Sequence, residues 1–392
     1  MNTSYKKGTA AVWAGEGDVN VKGAATTPIV NSVAFAYDDL EEWYDVSKGN
    51  KPGYIYSRNT NPTVAALEEK IRVLEDAEAA TSFATGMAAI SNSLFTFLTA
   101  GKKVVSIKDS YGGTSKLFLD FLPKYNVGVE LCDTTDHEAL EAAIAKGCDV
   151  VYLETPTNPT LKIIDIERLV KAAKAVGAVV LVDNTFATPI NQNPLQLGAD
   201  LVLHSATKYL CGHSDAMGGL LAGKKELVQK VFQFREINGA SLQADPAYMI
   251  ARGMKTLALR IERQNTSALK IAQYLKAHDK VSDVFYPGLE THTGHDIAKK
   301  QMRGFGGMMS FSLHGGWKSV QKFLPALKLA HRAASLGSVS TLAGPPRTTS
   351  HVELTEDQRK QLGIPEGLIR YSVGIENVDD LMNDISDALK KV

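Results

Sequence analysis

Two rhythms of apolar residues alternate through the middle of this chain. Short runs at 104–107, 127–131, 150–153, 179–182 and 201–203 have the length and β-branched content of buried strands. Between them the apolar residues take a helical spacing, as where Ile166, Leu169, Val170 and Ala173 fall on one face. Strands that are apolar throughout, separated by amphipathic helices, predict an α/β fold with a mostly parallel central sheet covered on both faces. Right-handed crossovers then bring the polar residues that follow each strand to one edge, the usual ligand edge of such a sheet.

The compact region opens with a helix start at Asn61, an N-cap residue followed by Pro62, with Leu67, Ile71 and Leu74 on one face. Residues 1–60 are rich in Gly, Thr and Asn without sustained period and read as an extended arm. The large domain is expected over 61–244. After Asn238-Gly239-Ala240-Ser241 a long helix is expected, capped by Asp245 with Pro246 at its first position. Residues 245–392 then mix helices with strand-like Met308–Leu313 and Ile369–Val373, ending in a helix carrying Leu381, Ile385 and Leu389. That mixture predicts a smaller α+β C-terminal domain.

Composition narrows the function classes. The chain has 392 residues, 44% of them hydrophobic, and 43 Lys+Arg against 43 Asp+Glu, so its formal charge is zero. This is the make-up of an ordinary globular protein of two or three domains. Neutrality without a basic run gives no reason to expect nucleic acid or anionic lipid as a partner. No stretch suggests a membrane span, and Met1–Val30 lacks the pattern of a secretory signal, so a cytoplasmic protein is expected. Cys132, Cys148 and Cys211 are too few and too scattered for a disulfide framework or a zinc ribbon. Cys211-Gly212-His213 has no second pair to complete a metal site, and none is expected.

Four polar clusters follow predicted strands: Thr85-Gly86-Met87, Glu154 to Pro159, Asp183-Asn184-Thr185, and His204 to Tyr209. Lys208 lies just past a buried strand, where desolvation makes an amine nucleophilic enough for a Schiff base. Asp183 stands at the equivalent place one strand earlier, suited to keeping a pyridine nitrogen protonated. Ser205 and Thr207 hydroxyls, with the Gly86 and Met87 amides at a helix N-terminus, make an anion cradle. Taken singly each has a blander reading, a solvated lysine or a helix-capping aspartate. Together they meet the requirements of pyridoxal phosphate. The glycines at 304, 306 and 307 precede a strand instead of following one, which removes a dinucleotide reading.

The segments YSRNTNPT, TGMAA, YGGT, ETPTNP, DNTFATP, HSATKY with GHSD, RGMKTL and RYSVGIE, in this order, resemble the Cys/Met-metabolism family of pyridoxal-phosphate enzymes. That family includes cystathionine γ-synthase, cystathionine γ-lyase, methionine γ-lyase and the acylhomoserine sulfhydrylases. The resemblance covers nearly the whole chain and implies the aspartate-aminotransferase fold, fold type I. It implies Lys208 as the Schiff-base lysine and proton shuttle, Asp183 as the pyridinium partner, and Gly86, Met87, Ser205 and Thr207 as phosphate binders. Tyr111 matches the tyrosine that stacks on the ring and assists at the leaving group, and Asn158 the residue near the phenolic oxygen. Arg370 resembles the arginine that holds the substrate α-carboxylate, with Thr341 where a serine helps align it. Tyr56 and Arg58 match residues that reach the neighbouring subunit's cofactor, which implies a homodimeric active unit within a homotetramer.

Members of this family differ in what leaves or enters at Cγ. Ser340 lies where cystathionine-handling members carry a glutamate for the distal ammonium, and Ile55 and Asn59 replace charged flanks of the Tyr-Ser-Arg motif. Gly113 stands where methionine γ-lyases often have cysteine, and Lys116 matches a basic residue of the synthases. Ser340, Ile55 and Asn59 favour a γ-lyase acting on a γ-substituted four-carbon amino acid, methionine- or homocysteine-like or O-linked as in canavanine or an acylhomoserine. Gly113, by contrast, counts against a strictly methionine-specific enzyme, and Lys116 leaves room for an acidic substrate contact. The alternatives are a γ-replacement enzyme, cystathionine γ-synthase or O-acetylhomoserine sulfhydrylase, and a catalytically silent cofactor-binding regulator.

Overall fold

The computed structural model describes residues 5–16, 23–350, 352 and 355–392. Its larger sheet contains β1 (Ala79–Phe83), β2 (Lys103–Ile107), β3 (Gly128–Cys132), β4 (Val150–Glu154), β5 (Val179–Asp183), β6 (Leu201–Ser205) and β7 (Gly219–Gly223). They lie side by side in the order β1-β7-β6-β5-β4-β2-β3. The expected apolar runs are β2 to β6, and their pairings are all parallel. Both faces are covered, which is why these strands read as unbroken apolar runs. Phe83, Val104, Tyr152, Leu181 and Leu203 pack on one side with Leu94 of the helix Gly86–Phe97. Val105, Val151, Leu153, Val180 and Val182 pack on the other with Leu169 and Val170 of the helix Ile166–Ala175. Burying each large apolar side chain contributes about 1.5–3 kcal/mol.

Sequence periodicity did not mark β7, which runs antiparallel to both β1 and β6. Its Gly-Leu-Leu-Ala-Gly sequence has little strand propensity; close packing explains it. Gly219 lies so near the helix Gly86–Phe97 that a Cβ there would overlap the Thr85 carbonyl.

At the start of the compact region Asn61 caps the helix Pro62–Leu74 as expected, accepting from the amides of Thr63 and Val64. Before it, the chain forms two short helices, Lys7–Trp13 and Leu40–Ser47, which the sequence did not signal. The first is held by Ala10 and Ala11, buried against the helix Pro62–Leu74. Alanines give a weak hydrophobic period, so the contact was invisible in the pattern. Buried Lys70 completes it by donating to the carbonyls of Ala11 (3.0 Å) and Val12 (3.2 Å), satisfying orphan groups at the end of that helix.

The smaller sheet contains β8 (Val281–Phe285), β9 (Met308–Leu313), β10 (His331–Arg332), β11 (Leu342–Gly344) and β12 (Leu368–Ser372), in the order β10-β11-β12-β9-β8. Only the β10–β11 pair is parallel. Phe311, Ile369 and Tyr371 of this sheet share a core with Leu381, Ile385 and Leu389 of the final helix, Val378–Leu389. The helix expected at Asp245 begins at Ala244, so Asp245 sits in its first turn, not at its cap. An acid there still faces the positive end of the helix dipole. No helix among the described residues is long and apolar enough to cross a membrane.

Candidate active site

The parallel strands β4, β5 and β6 end at Glu154, Asp183 and Ser205, so their carboxyl ends share one edge. The helix Gly86–Phe97 starts at the same edge, its amides opened by Thr85, whose hydroxyl accepts from Ala88 N at 3.0 Å. A Cβ built on Gly86 would stand 2.7 Å from Ser205 Cβ and 2.9 Å from its Oγ. Glycine there lets the helix terminus and the end of β6 close into one cradle. From the other sheet, β12 brings Arg370 across.

Together these elements enclose a cavity of about 300 Å³. Gly86, Met87, Tyr111, Asn158, Asp183, Ser205, Thr207, Lys208 and Arg370 all line it. Residues more than 280 positions apart in sequence, by the difference between 370 and 86, thus meet at one place. Lys208 points its amine at Ser335 Oγ, 3.2 Å away, and burial, with the Arg370 charge nearby, lowers its pKa to about 8. Near neutral pH roughly a tenth of such an amine is unprotonated, against well under a thousandth for an exposed lysine.

Arg370 is buried, and its guanidinium donates through Nη1 to Asn158 Oδ1 (3.1 Å) and through Nη2 to the Ser335 carbonyl (3.2 Å). Burial lowers its pKa to about 10, so it stays charged at neutral pH. No carboxylate among the described residues pairs with it. A desolvated guanidinium held by neutral acceptors alone is a binding site for an anion from outside.

Asp183 is its counterpart on the opposite wall. It accepts from Thr185 N (2.9 Å) and Tyr152 OH (3.3 Å), and burial raises its pKa against the opposing pull of Thr185 and His204. The cavity therefore offers a nucleophilic amine, an anion cradle at a helix N-terminus, an unpaired carboxylate and an unpaired guanidinium. That donor set fits an anionic cofactor with a protonatable ring nitrogen, plus a carboxylate-bearing substrate.

Four residues singled out from the sequence lie elsewhere. Tyr56 is exposed, and Arg58 donates to the Glu236 carbonyl at 2.7 Å on the surface of the same chain. Thr341 is fully buried: its hydroxyl donates to Glu376 Oε2 (2.9 Å) and accepts from Gly374 N (2.9 Å). Ser340 lies beside it, its hydroxyl 3.3 Å from that of Ser338. Neither lines the cavity, because both lie in the segment that enters β11, which Thr341 ties to the residues following β12. Ser335 and Leu336 take the wall position instead. Ser335 had no motif to reveal it. Glu154 did, as the first residue of ETPTNP directly after a strand, yet its side chain went unassigned. Lys116 is exposed and lies outside the cavity lining.

The family model for Cys/Met metabolism PLP-dependent enzymes matches residues 8–390. Over 391 residues the chain is 44% identical to an L-methionine gamma-lyase of Fusobacterium nucleatum subsp. polymorphum, covering 99% of each. It is 42% identical to a chloroplastic cystathionine gamma-synthase 1 of Nicotiana tabacum, covering 98% of this chain and 72% of that one. A solved cystathionine gamma synthase from Xanthomonas oryzae pv. oryzae, in complex with aminoacrylate and cysteine, superposes with a TM-score of 0.94 at 39% identity. That superposition covers 99% of this chain and 98% of the other. The fold is thus the type I fold that the sequence motifs implied. With a full-length family match laid over a cavity of this chemistry, the chain belongs to the Cys/Met-metabolism family of pyridoxal-phosphate-dependent enzymes.

Proposed function

We propose that the protein is a pyridoxal-phosphate-dependent γ-lyase that removes a small, uncharged γ-substituent from a four-carbon amino acid. The cavity's charge distribution carries this reading. Of its acidic and basic lining residues, Lys208, Asp183 and Arg370 would serve the cofactor and the α-carboxylate, while Glu154 accepts from the Tyr111 amide. The wall formed by Ala334, Leu336, Thr349 and Ser350 offers only apolar groups and hydroxyls. A distal ammonium and carboxylate, as in cystathionine, would lose hydration there without gaining a partner. A methylthio, thiol or O-linked group loses much less. The 44% identity to an L-methionine gamma-lyase supports the same class.

In this reading the Gly86 and Met87 amides with Ser205 and Thr207 would hold the cofactor phosphate, and Asp183 would keep the ring nitrogen protonated. Bound pyridoxal phosphate supplies an electron sink that acidifies first the Cα proton and then the Cβ proton of the amino acid. Lys208, with its lowered pKa, moves those protons. Arg370, fixed by Asn158 and the Ser335 carbonyl, orients the α-carboxylate so that the Cα–H bond faces the lysine. Tyr111 delivers the proton with which the sulfur or oxygen departs. The four-carbon remainder then takes up water and leaves as 2-oxobutanoate and ammonia. Tyr56 and Arg58, free of their own chain's cavity, complete the phosphate site of a second copy, which makes the homodimer the active unit.

The test follows 2-oxobutanoate and the released group by mass spectrometry, offering methionine, homocysteine, cystathionine, O-acetylhomoserine and canavanine separately without added nucleophile. Turnover of a neutral γ-substituted substrate to 2-oxobutanoate is expected. Turnover only when a thiol is supplied would establish a γ-replacement enzyme instead, and cystathionine as best substrate by a wide margin would refute the argument from charge.

A further inference from the structure

Asp183 shares its edge of the sheet with a second acid. Glu154 ends β4 in register with Asp183 on β5, both side chains are buried, and both line the cavity. Two carboxylates on adjacent strands, shielded from water and with no cation paired to either among the described residues, cannot both be ionised.

The surrounding groups decide which one keeps the charge. Asp183 accepts from Thr185 N at 2.9 Å and Tyr152 OH at 3.3 Å, and His204 on β6, held by Glu75 at 2.6 Å, favours its anion. Among the described residues Glu154 accepts only from Tyr111 N, at 2.8 Å. A further acid, Asp109 after β2, opposes a charge on Glu154, while the cation that Asp109 holds, Lys162, is spent on it at 3.0 Å. Lys208 and Arg370 face the same cavity but pair with neither acid. Burial first, and then Asp183, push the Glu154 carboxyl well above the usual range, in agreement with the donor count.

We propose that Glu154 works as a neutral carboxylic acid that fixes Tyr111 through its backbone amide and leaves Asp183 the single negative charge on this edge of the cavity. Glu154 is a positioning residue, acting through Tyr111 and Asp183. Were Glu154 the ionised member, Asp183 would hold the proton and could not keep a ring nitrogen protonated. The inference rests on pyridoxal phosphate occupying this cavity and is independent of which γ-substituent departs.

Two variants of the holoenzyme test it. Glu154→Gln preserves shape, neutrality and an acceptor for the Tyr111 amide; Glu154→Leu removes the acceptor. In the infrared difference spectrum between wild type and Glu154→Gln at neutral pH, the lost band should be the C=O stretch of a carboxylic acid. Glu154→Gln should keep cofactor affinity and kcat/KM within about threefold of wild type, whereas Glu154→Leu should lose about ten- to a hundredfold in kcat with little change in KM. Loss of a carboxylate stretch instead, or a tenfold or greater fall in cofactor affinity in Glu154→Gln, would overturn the proposal. If Glu154→Leu fails to fold, the spectrum and Glu154→Gln decide alone. Cofactor bound normally beside an ionised Glu154 refutes this inference only, whereas a wild-type protein that binds no pyridoxal phosphate refutes the reading of the cavity beneath it.

Discussion

Gly86→Ala separates the anion cradle from the stability of the fold. The added Cβ would sit 2.7 Å from Ser205 Cβ, 2.9 Å from Ser205 Oγ and 3.0 Å from Ser205 Cα. Carbon atoms in contact need about 3.5–4.0 Å, so the helix terminus and the end of β6 must part by roughly 1 Å. Overpacking of this size costs about 1–3 kcal/mol, while alanine in place of a helical glycine returns up to about 1 kcal/mol. The cofactor-free protein should therefore lose no more than about 3 kcal/mol of stability. The bound phosphate suffers more, since a 1 Å retreat takes one or two charge-assisted hydrogen bonds out of range, each worth about 1.5–3 kcal/mol. Fluorescence titration of cofactor-free protein with pyridoxal phosphate should show Kd rising by about ten- to ten-thousandfold. Ser205→Gly loses its own hydroxyl, yet combining it with Gly86→Ala relieves the clash. The double variant should accordingly be less damaged than the sum of the two. Cofactor affinity within about threefold of wild type, or strict additivity of the pair, would refute the idea that this contact sets the cradle.

Three further outcomes follow from the same geometry. Arg370→Lys keeps the charge but loses the fork fixed by Asn158 and Ser335, so kcat/KM should fall by about 30- to 1,000-fold, mostly through KM, in steady-state assays; a change under threefold would refute the carboxylate role. Lys208 has a folded pKa of about 8 against 10.5 in the free side chain, so between those values the unfolded chain binds more protons and stability rises with pH. Denaturant melts of cofactor-free protein from about pH 7.5 to 10 should show Lys208→Met flattening that rise by no more than about 3 kcal/mol, Lys70 contributing equally to both, and parallel slopes would show the shift to be absent. Thr341→Val breaks the hydrogen bonds to Glu376 and Gly374 and should cost about 1–3 kcal/mol of stability while leaving KM within about threefold; a tenfold rise in KM at unchanged stability would return Thr341 to the substrate.

What the sequence revealed depended on how each residue exerts its effect. The strands β2 to β6 were legible because burial on both faces forces unbroken apolar runs, and the helix at Pro62 because Asn61 and Pro62 act locally. Lys208, Asp183 and Arg370 were legible through motifs, each of which records a strand end and its chemistry together. β7 was not, since its place depends on Gly219 meeting Thr85, a contact across 134 positions (219 − 85) that no local pattern encodes. Thr341 shows the opposite failure. A motif position suggested contact with substrate, but a hydroxyl can equally satisfy the backbone, and here Glu376 and Gly374 claim it. Ser335 reaches Lys208 and Arg370 only because the second sheet carries it there.

The cavity holds its charges apart from complements within the chain. Lys208 and Arg370, two cations, disfavour each other in low dielectric, and burial lowers the pKa of both. At the same strand edge as Lys208, Asp183 and Glu154 are two acids in register, both raised by burial. Pairing these acids with these cations would stabilise the protein without cofactor, yet Asn158, Ser335, Thr185 and the Tyr111 amide hold each group to neutral partners instead. The frustration is thus kept by specific hydrogen bonds and relieved only by a ligand carrying an anion for each cation and a cation for the remaining acid. A phosphorylated pyridine with an amino-acid carboxylate beside it has that pattern. Such a site trades folding stability for binding. Glu154 is the one member that such a ligand leaves without a charge to meet, which is the physical reason for it to remain protonated.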